Sequence, residues 1–359
     1  MVLTSGRQHS CMGYLMSTVF GRYEKNTVTS EYTSSPKSNG VNLRTRTTSY
    51  IVVSTLHETH VLRLEDDKGT LVSCVGGSAK GFMSSRTLAV SNIQRRIPKD
   101  GSTGSTYVDS SLVVQVVPKG LLLLDYDSSL REYTRIGDLW TLDKFSDANS
   151  ASWADREIVA ADINASQVVI ALNRGRLVLL ILDGDRFVKQ RMREFVEPPP
   201  LHCTAEISAV TCLPLDNTKS FAMHIAVGFW MSKVVKILSL ERPGTMRDVC
   251  ETSELLAAPR SLLLYRFTGE PGPKLSQPHP HLLVGLVDGS LAAFPFQNGT
   301  LGDQKLISIG NLPVTMHTCH TRGRSTVFAC GSRTSILFWE RDRLQHSPLM
   351  LKVRTRLPW

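Results

Sequence analysis

Apolar positions along the chain fall into short runs of strand length that are separated by polar or glycine-containing turns. The runs "SQVVIAL" and "GRLVLLIL", for example, flank the turn Asn173-Arg-Gly175. Short apolar runs bounded by turn residues predict strands, and two runs joined by a tight turn predict an antiparallel hairpin. No long stretch keeps the 3.6-residue period of an amphipathic helix, so the pattern predicts an all-β protein.

One unit of four such runs is repeated four times, over residues 156–195, 206–254, 259–310 and 313–351. The second run of each unit begins near 168, 224, 281 and 326, a spacing of about 45–57 residues. Four antiparallel strands at this period are typical of a β-propeller blade, which buries its faces against neighbouring blades. A β-sandwich is the main rival, but it gives no reason for one four-strand unit to recur.

The preceding sequence contains two less regular units. Residues 49–75 hold two or three strand-like runs, and residues 86–126 hold a strand–turn–strand core around Pro118-Lys-Gly120. Residues 95–111 are rich in Gly and Ser and are predicted to be a surface loop. We therefore expect about six blade units of four antiparallel strands.

Composition supports a globular chain without a membrane span or a disulfide framework. The sequence is 42% hydrophobic, enough for a core, and its longest apolar runs have strand length. No run approaches the roughly 18–20 residues of a spanning helix, and no secretory signal is recognisable. The seven cysteines are scattered without a C-x-x-C pair, which favours a reducing compartment and buried thiols.

The net charge of +9 is concentrated at the two ends of the chain. Residues 1–47 carry six Lys or Arg against two acids, and residues 341–359 carry five against one, so each end contributes +4. The body between them is left with only +1. A nearly neutral body differs from the basic stripe of a nucleic-acid-binding domain, so we expect nucleic acid only through a larger complex.

Two groups of histidines resemble metal ligands without matching the spacing. In "STLHETHVLRL" His57 and His60 are three apart, whereas the H-E-x-x-H zinc motif needs a spacing of four on a helix. The flanking runs predict a strand, which points residues three apart to opposite faces. His317, Cys319 and His320 share this problem, so no metal is predicted. His279 and His281 lie in a Pro-rich stretch that predicts a solvated loop.

No catalytic constellation stands out. The body contains Asp162, Asp183, Asp185 and Asp216, but the pattern places them at strand ends and turns, where carboxylates are usually solvated. Neither a G-x-S-x-G motif nor a phosphate-binding glycine loop is present in the sequence. We expect no catalytic residue, no cofactor and no small-molecule substrate. A propeller hydrolase is the distant alternative, and it would need carboxylates and histidines that converge at the channel mouth.

The order of the motifs resembles one family of large β-propeller proteins. "YIVVSTLHETHVLRL", "LVVQVVPKGLLLLD", "AVGFWMSKVVKILSL" and "STVFACGSRTSILF" occur in the order of the second propeller shared by the large subunits of the damage-specific DNA-binding protein, the cleavage-and-polyadenylation factor and a U2 splicing complex. "AVGFW" and "FACGSRTSILF" are more similar to the damage-binding member. His60 stands where this family usually has Arg.

The resemblance implies a seven-bladed propeller that is incomplete here by about one blade. On this basis we expect a propeller domain over 48–353, a disordered or unrelated segment over 1–47, and an unstructured tail over 354–359. A partial gene model or a truncated product is the expected origin of the missing blade, with a natural short isoform as the alternative.

The resemblance also implies a function. We expect a non-catalytic protein-interaction scaffold that docks a cullin in a nuclear ubiquitin ligase of the DNA damage response, with the cytoplasm left open as a second location. The alternative is a scaffold of an mRNA 3′-end processing or splicing complex.

Trp230 is the residue that the sequence points to for partner binding. It follows the strand "HIAVGF" at a turn, where side chains project from the rim of a propeller, and tryptophan is enriched at interface hot spots. Phe229 and Met231 would form the apolar margin of the contact. Packing of Trp230 between blades is the alternative that the sequence leaves open.

Overall fold

The computed structural model describes residues 16–25, 46–54, 58–65, 70–73, 81–98, 105–108, 112–127, 129–130, 132–145, 156–196, 205–216, 219–268, 279–321, 324–341 and 343–349. Within these ranges the chain forms six sheets, which we number in chain order. The strands of the first sheet are β1 (Met16–Lys25), β2 (Arg46–Ser54), β3 (Thr59–Glu65) and β4 (Thr70–Ser73).

The next part of the chain builds the second sheet and one additional hairpin. Its strands are β5 (Ala89–Asn92), β6 (Arg95–Pro98), β7 (Ser105–Val108), β8 (Val113–Val117), β9 (Gly120–Asp127), β10 (Glu132–Arg135) and β11 (Trp140–Thr141). A 3-10 helix follows at Leu142–Phe145. The second sheet has the order β10-β9-β8-β5 with β11 beside β9, whereas the hairpin β6–β7 joins the third sheet.

The third and fourth sheets follow the predicted repeat closely. The third contains β12 (Ile158–Ile163), β13 (Gln167–Leu172), β14 (Arg176–Asp183) and β15 (Arg186–Glu194). The fourth contains β16 (Ile207–Thr211), β17 (His224–Phe229), β18 (Val235–Ser239) and β19 (Arg247–Glu251). Consecutive strands pair antiparallel in both sheets.

The last two sheets repeat this pattern. The fifth contains β20 (Pro259–Tyr265), β21 (His281–Leu286), β22 (Ser290–Gln297), β23 (Thr300–Leu301) and β24 (Lys305–Ser308). The sixth contains β25 (Thr315–Thr321), β26 (Arg324–Cys330), β27 (Thr334–Glu340) and β28 (Arg343–Pro348). The same register shift recurs at the start of the first strand in sheets three, four and five, after Ile158, Ile207 and Pro259.

The sheets are arranged as the blades of a β-propeller. The first strand of each sheet contacts the first strand of the next, in the series β1, β5, β12, β16, β20 and β25. This innermost series is what four-stranded blades around a common axis produce. The predicted fold class, a β-propeller of antiparallel four-stranded blades with about six units, is confirmed.

The core lies between consecutive sheets and not inside any one of them. On β13, Val168 and Ile170 belong to the hydrophobic cluster shared with the second sheet, while Val169 and Ala171 belong to the cluster shared with the fourth. All four side chains are fully buried. Because both faces of an inner blade are covered, its strands are continuous apolar runs without the alternation of a half-exposed sheet.

Buried polar groups connect neighbouring sheets by hydrogen bonds. Between the first two sheets, the Thr87 backbone N–H donates to the Ser54 hydroxyl at 2.9 Å, and Gln115 Nε2 in the second sheet donates to the Thr87 hydroxyl at 2.7 Å. Between the third and fourth sheets, Asn164 Nδ2 donates to the Cys212 carbonyl at 2.7 Å. Such partners are expected, since a buried polar group without one costs about 1–3 kcal/mol.

The structure differs from the sequence-based expectations at two places. Strand β1 lies inside the segment 1–47 that we expected to lack regular structure, and it pairs antiparallel with β2, whose edge would otherwise be open. The predicted surface loop 95–111 contains the hairpin β6–β7. Composition missed these strands because their hydrogen-bond partners are backbone groups distant in sequence or across a turn. The predicted tail 354–359 lies outside the described residues.

Candidate protein-binding rim

One rim of the propeller carries the turns that join the second and third strands of each blade. In sheets three to six these turns lie at 173–175, 230–234, 287–289 and 331–333. Described residues of the segments that lead from one blade to the next lie at the same rim: the Phe195 N–H donates to the Gly175 carbonyl, and the Val314 N–H donates to the Leu286 carbonyl. We call this edge of the propeller the hairpin rim. The edge at the other end of the strands is called the opposite rim.

The turn between β17 and β18 contains the residues that the sequence pointed to. Its backbone is closed by a hydrogen bond from the Phe229 N–H to the Val234 carbonyl at 3.1 Å. The Trp230 N–H donates to the Glu206 carbonyl at 2.9 Å, which ties the turn to the segment entering β16. Lys233 adopts a positive φ of 51°, so the chain reverses within a few residues.

Adjacent residues of this turn have opposite environments. Trp230 is 41% exposed and Met231 is 62% exposed, so both project from the rim. Phe229 is 2% exposed and belongs to the cluster between sheets three and four, where its ring meets Phe195 edge-on at 5.1 Å. Phe229 therefore differs from the expected apolar margin, because it anchors the turn from below and offers no surface to a partner.

A third apolar side chain lies beside this turn. The Leu255 N–H donates to the Lys233 carbonyl at 3.0 Å, which brings the next residue, Leu256, alongside. Leu256 is 70% exposed, whereas Leu255 is buried. We call Trp230, Met231 and Leu256 the rim patch. The exposed ion pair Lys233–Glu254, at 3.2 Å, flanks it and gives it a polar margin.

The sequence did not single out Leu256. The pair Leu255-Leu256 gives no sign of which side chain faces the core, and the hydrogen bond to Lys233 decides it. Other large exposed apolar residues, Val196 and Leu312, lie in blade-to-blade segments on the hairpin rim, whereas Leu130 and Phe221 lie on the opposite rim. The hairpin rim is therefore the more apolar of the two among the described residues.

The carboxylates considered for catalysis are spread over different environments. Asp183, Asp185 and Asp216 lie at exposed strand ends or turns, as predicted. Asp162 departs from that prediction: it lies within β12, and its carboxylate accepts the Cys212 N–H at 2.7 Å. Burial raises the pKa of Asp162, and it also raises that of the neighbouring Cys212 thiol. This pair joins two blades.

The histidine motifs lie in strands. His60 in β3 is exposed and its Nε2 lies 3.1 Å from a Glu58 carboxylate oxygen, while His57 is outside the described residues. His317 and Cys319 pair with Phe328 and Thr326 across β25–β26. The described ranges contain no group of three or more His, Cys, Asp or Glu placed to hold a metal ion.

The prediction that His281 lies in a solvated loop is wrong. His281 begins β21, is 4% exposed, and its ring lies 5.3 Å from that of Trp339 in the core between sheets five and six. The proline-rich stretch before His281 predicted a loop, so this first residue of β21 was assigned to the loop instead of the strand. Trp339 packs against the hydrophobic cluster between sheets five and six.

Two further features concern the predicted cellular setting. None of the helices within the described residues has the length and apolarity to cross a bilayer. The four described cysteines are Cys212, which is buried, and Cys250, Cys319 and Cys330, which are half-buried, and no disulfide joins them.

The six sheets define a β-propeller domain, and the sequence comparisons place it in a family. A family model described as the RSE1/DDB1/CPSF1 second beta-propeller matches residues 27–359. The chain belongs to this family. The matched range begins before and ends after the 48–353 that the sequence predicted.

Curated proteins similar to this chain include several DNA damage-binding proteins. The chain is 30% identical to DNA damage-binding protein 1 of Oryza sativa and 29% identical to DNA damage-binding protein 1a of Arabidopsis thaliana, in each case over 54% of this chain and 16% of the relative. It is 28% identical to DNA damage-binding protein 1 of Drosophila melanogaster over 56% of this chain and 16% of the relative. The matched part thus spans about one sixth of the relatives' length.

A solved protein from Lactobacillus plantarum covers 81% of this chain and 77% of its own length with a TM-score of 0.49 and 11% identity, a likeness too slight to carry an argument.

Proposed function

We propose that this chain is a non-catalytic scaffold domain that docks a cullin within a nuclear ubiquitin ligase of the DNA damage response. The family and the named DNA damage-binding relatives support the setting. The rim patch is the observation that carries the proposal for this chain, because it places a partly exposed Trp beside exposed Met and Leu side chains. Interfaces depend on a few such anchors.

The anchoring of the rim patch also supports docking. Phe229 and Leu255 are both buried directly beneath exposed neighbours, so the turn is held rigid before a partner arrives. A preformed surface loses little conformational entropy on binding, which improves affinity. The Lys233–Glu254 pair contributes little to stability because it is exposed, but it supplies the polar margin that surrounds an apolar anchor.

The test is a pull-down of purified cullin scaffold with wild-type chain and Trp230→Ala. We expect binding to weaken about 30-fold, since truncation of a hot-spot residue costs about 2 kcal/mol or more. Phe221→Ala is the matched control, because Phe221 is an exposed aromatic residue on the opposite rim. Equal binding by Trp230→Ala and wild type would contradict the role of the rim patch.

A scaffold role in mRNA 3′-end processing or splicing is the second candidate, because the family model also includes RSE1 and CPSF1 propellers. The same pull-down is repeated from nuclear extract with detection of cullin, polyadenylation and splicing subunits. Recovery of a polyadenylation or splicing subunit without any cullin would favour this second function over the first.

A further inference from the structure

A cavity opens on the opposite rim, between sheets four and five. Its volume is about 560 Å³, which lies in the range of ligand-binding clefts. It lies across the propeller from the rim patch, because its walls are the ends of β17 and β18 and the turn after β22. Its lining includes His224, Glu241, Arg266, Phe296, Gln297 and Asn298.

The floor of the cavity is apolar. Phe296 is buried in the cluster between sheets four and five, and the His224 ring meets it edge-on at 5.5 Å. Burial lowers the pKa of His224, with the charge of Glu241 acting in the opposite direction, so the imidazole is neutral at pH 7. Leu215 and Val249 extend the floor, since both pack against the same cluster.

Two charged side chains, Arg266 and Glu241, lie on the cavity wall. Arg266 is half-buried, and Glu241 is exposed. Among the described residues neither side chain makes a hydrogen bond or an ion pair. Elsewhere in the fold, half-buried arginines have partners: Arg193, for example, donates to Met246 and Asp248. A guanidinium partly removed from water gains most from a carboxylate, which it binds by charge-assisted hydrogen bonds.

The remaining wall groups suit a peptide backbone. The side-chain amides of Gln297 and Asn298 and the Ser239 hydroxyl can both donate and accept hydrogen bonds. A small inorganic anion would use Arg266 but would leave these groups and the apolar floor without contact. An extended peptide segment would contact the guanidinium, the polar wall groups and the apolar floor together.

We propose that this cavity binds a short acidic–apolar peptide segment of a protein partner, with the acidic side chain on Arg266 and the neighbouring apolar side chain on Phe296 and His224. The site is independent of the rim patch and lies on the other edge of the propeller. A scaffold with both sites can hold two partners at once.

The test is selection of a random heptapeptide library, displayed on phage, on the immobilised full chain. We expect enriched peptides with Asp or Glu next to an aromatic or aliphatic residue. Their affinity should fall at least about tenfold on Arg266→Gln, since a hydrogen bond to a charged group contributes about 1.5–3 kcal/mol. It should rise about twofold to threefold on Glu241→Gln, because that change removes a like charge beside the bound carboxylate.

Matched controls separate this site from general charge and from the proposed function. Arg186→Gln removes an exposed arginine on β15, outside the cavity, and should leave peptide binding unchanged. Trp230→Ala should also leave it unchanged, so loss of cullin docking and loss of peptide binding are distinguishable. Enrichment of peptides without acids, or equal binding by Arg266→Gln and wild type, would overturn the proposal, as would a failure to enrich any sequence.

Discussion

The third and sixth sheets share one strand plan but differ in how their faces are covered. Every residue of β13 in the third sheet is buried. In β27 of the sixth sheet, Ser335 and Leu337 are buried, whereas Ile336 and Phe338 are only half-buried. The third sheet lies between two neighbours, and the sixth packs on one side against the fifth. The difference shows that burial in this fold is set by neighbouring blades and not by the strand itself.

The contrast between covered and uncovered faces extends to the whole series of sheets. Five hydrophobic clusters join consecutive sheets from the first to the sixth. Among the described residues, no such cluster joins the sixth sheet to the first. Phe328, Ile336 and Phe338 on the sixth sheet and Val53 and Leu62 on the first are half-buried apolar side chains on the faces without a cluster.

The largest expected difference concerns the same Ile→Ala truncation made in the second strand of the third sheet and in the third strand of the sixth sheet. We expect Ile170→Ala to lower the free energy of unfolding by about 2–5 kcal/mol, because it removes a fully buried side chain between two blades. Ile336→Ala should cost about 1 kcal/mol or less, since its face is already partly in water. Urea denaturation followed by circular dichroism measures both. Equal costs would show that both sheets are covered alike.

Two glycines sharpen the comparison at the level of single atoms. A Cβ at Gly285 in β21 would lie 2.5 Å from the Val314 carbonyl and from the Ser261 hydroxyl, whereas one at Gly331 after β26 would come no closer than 3.2 Å to the Leu312 carbonyl. We expect Gly285→Ala to cost about 1–3 kcal/mol through overpacking between sheets five and six. Gly331→Ala should cost less than about 1 kcal/mol. Thermal melts of the two variants provide the measurement.

The pH dependence of stability gives a third, smaller difference. Burial lowers the pKa of His281, against Phe267 and Trp339 and near Lys305, below its ordinary 6.5. The unfolded chain then binds more protons than the folded chain as the pH falls below about 6.5, so stability is lost on acidification. We expect the free energy of unfolding to fall between pH 7.5 and 5.5.

The prediction is tested by measuring the free energy of unfolding as a function of pH for His281→Gln and for wild type. The variant should show a shallower loss on acidification, because it has no proton to gain at this position. Asp162 acts with the opposite sign, since burial raises its pKa, but it contributes equally to both proteins. Identical slopes would contradict a buried, neutral His281.

A substitution on the half-buried face of the sixth sheet should have the smallest effect on stability. Its effect on solubility should be larger. We expect the wild-type chain to self-associate through this apolar face, as exposed apolar surface on a sheet favours aggregation. Phe338→Glu should reduce light scattering at micromolar concentration while costing about 1 kcal/mol or less. A wild-type chain that stays monomeric and melts cooperatively would contradict this prediction.

Much of the fold could be predicted because the repeat is local in sequence. The predicted starts of the second strands near 168, 224 and 281 agree with β13, β17 and β21. Turn residues and apolar runs determine a hairpin whatever surrounds it. Strand β1 and the hairpin β6–β7 were not predicted, because their pairing depends on partners that no local pattern reveals.

The candidate site was predictable only in part for the same reason. A Trp at a propeller turn indicated Trp230, and the structure exposes it together with Met231. The sequence could not separate Phe229 from its neighbours, since a period-two pattern loses its meaning where a strand ends in a turn. Arg266 and Glu241 gave no signal either, because the cavity they line brings together two blades.

By itself the sequence determined that this protein is built from repeated antiparallel hairpins, since each strand, turn and apolar run is encoded within one unit of the chain. Only the tertiary structure decided which side chains remain in contact with water. Exposure depends on whether a neighbouring blade covers a face or an anchoring residue lies beneath a turn, and these contacts join residues about 50 positions apart in the chain, as the hydrogen bond between Asp162 and Cys212 illustrates.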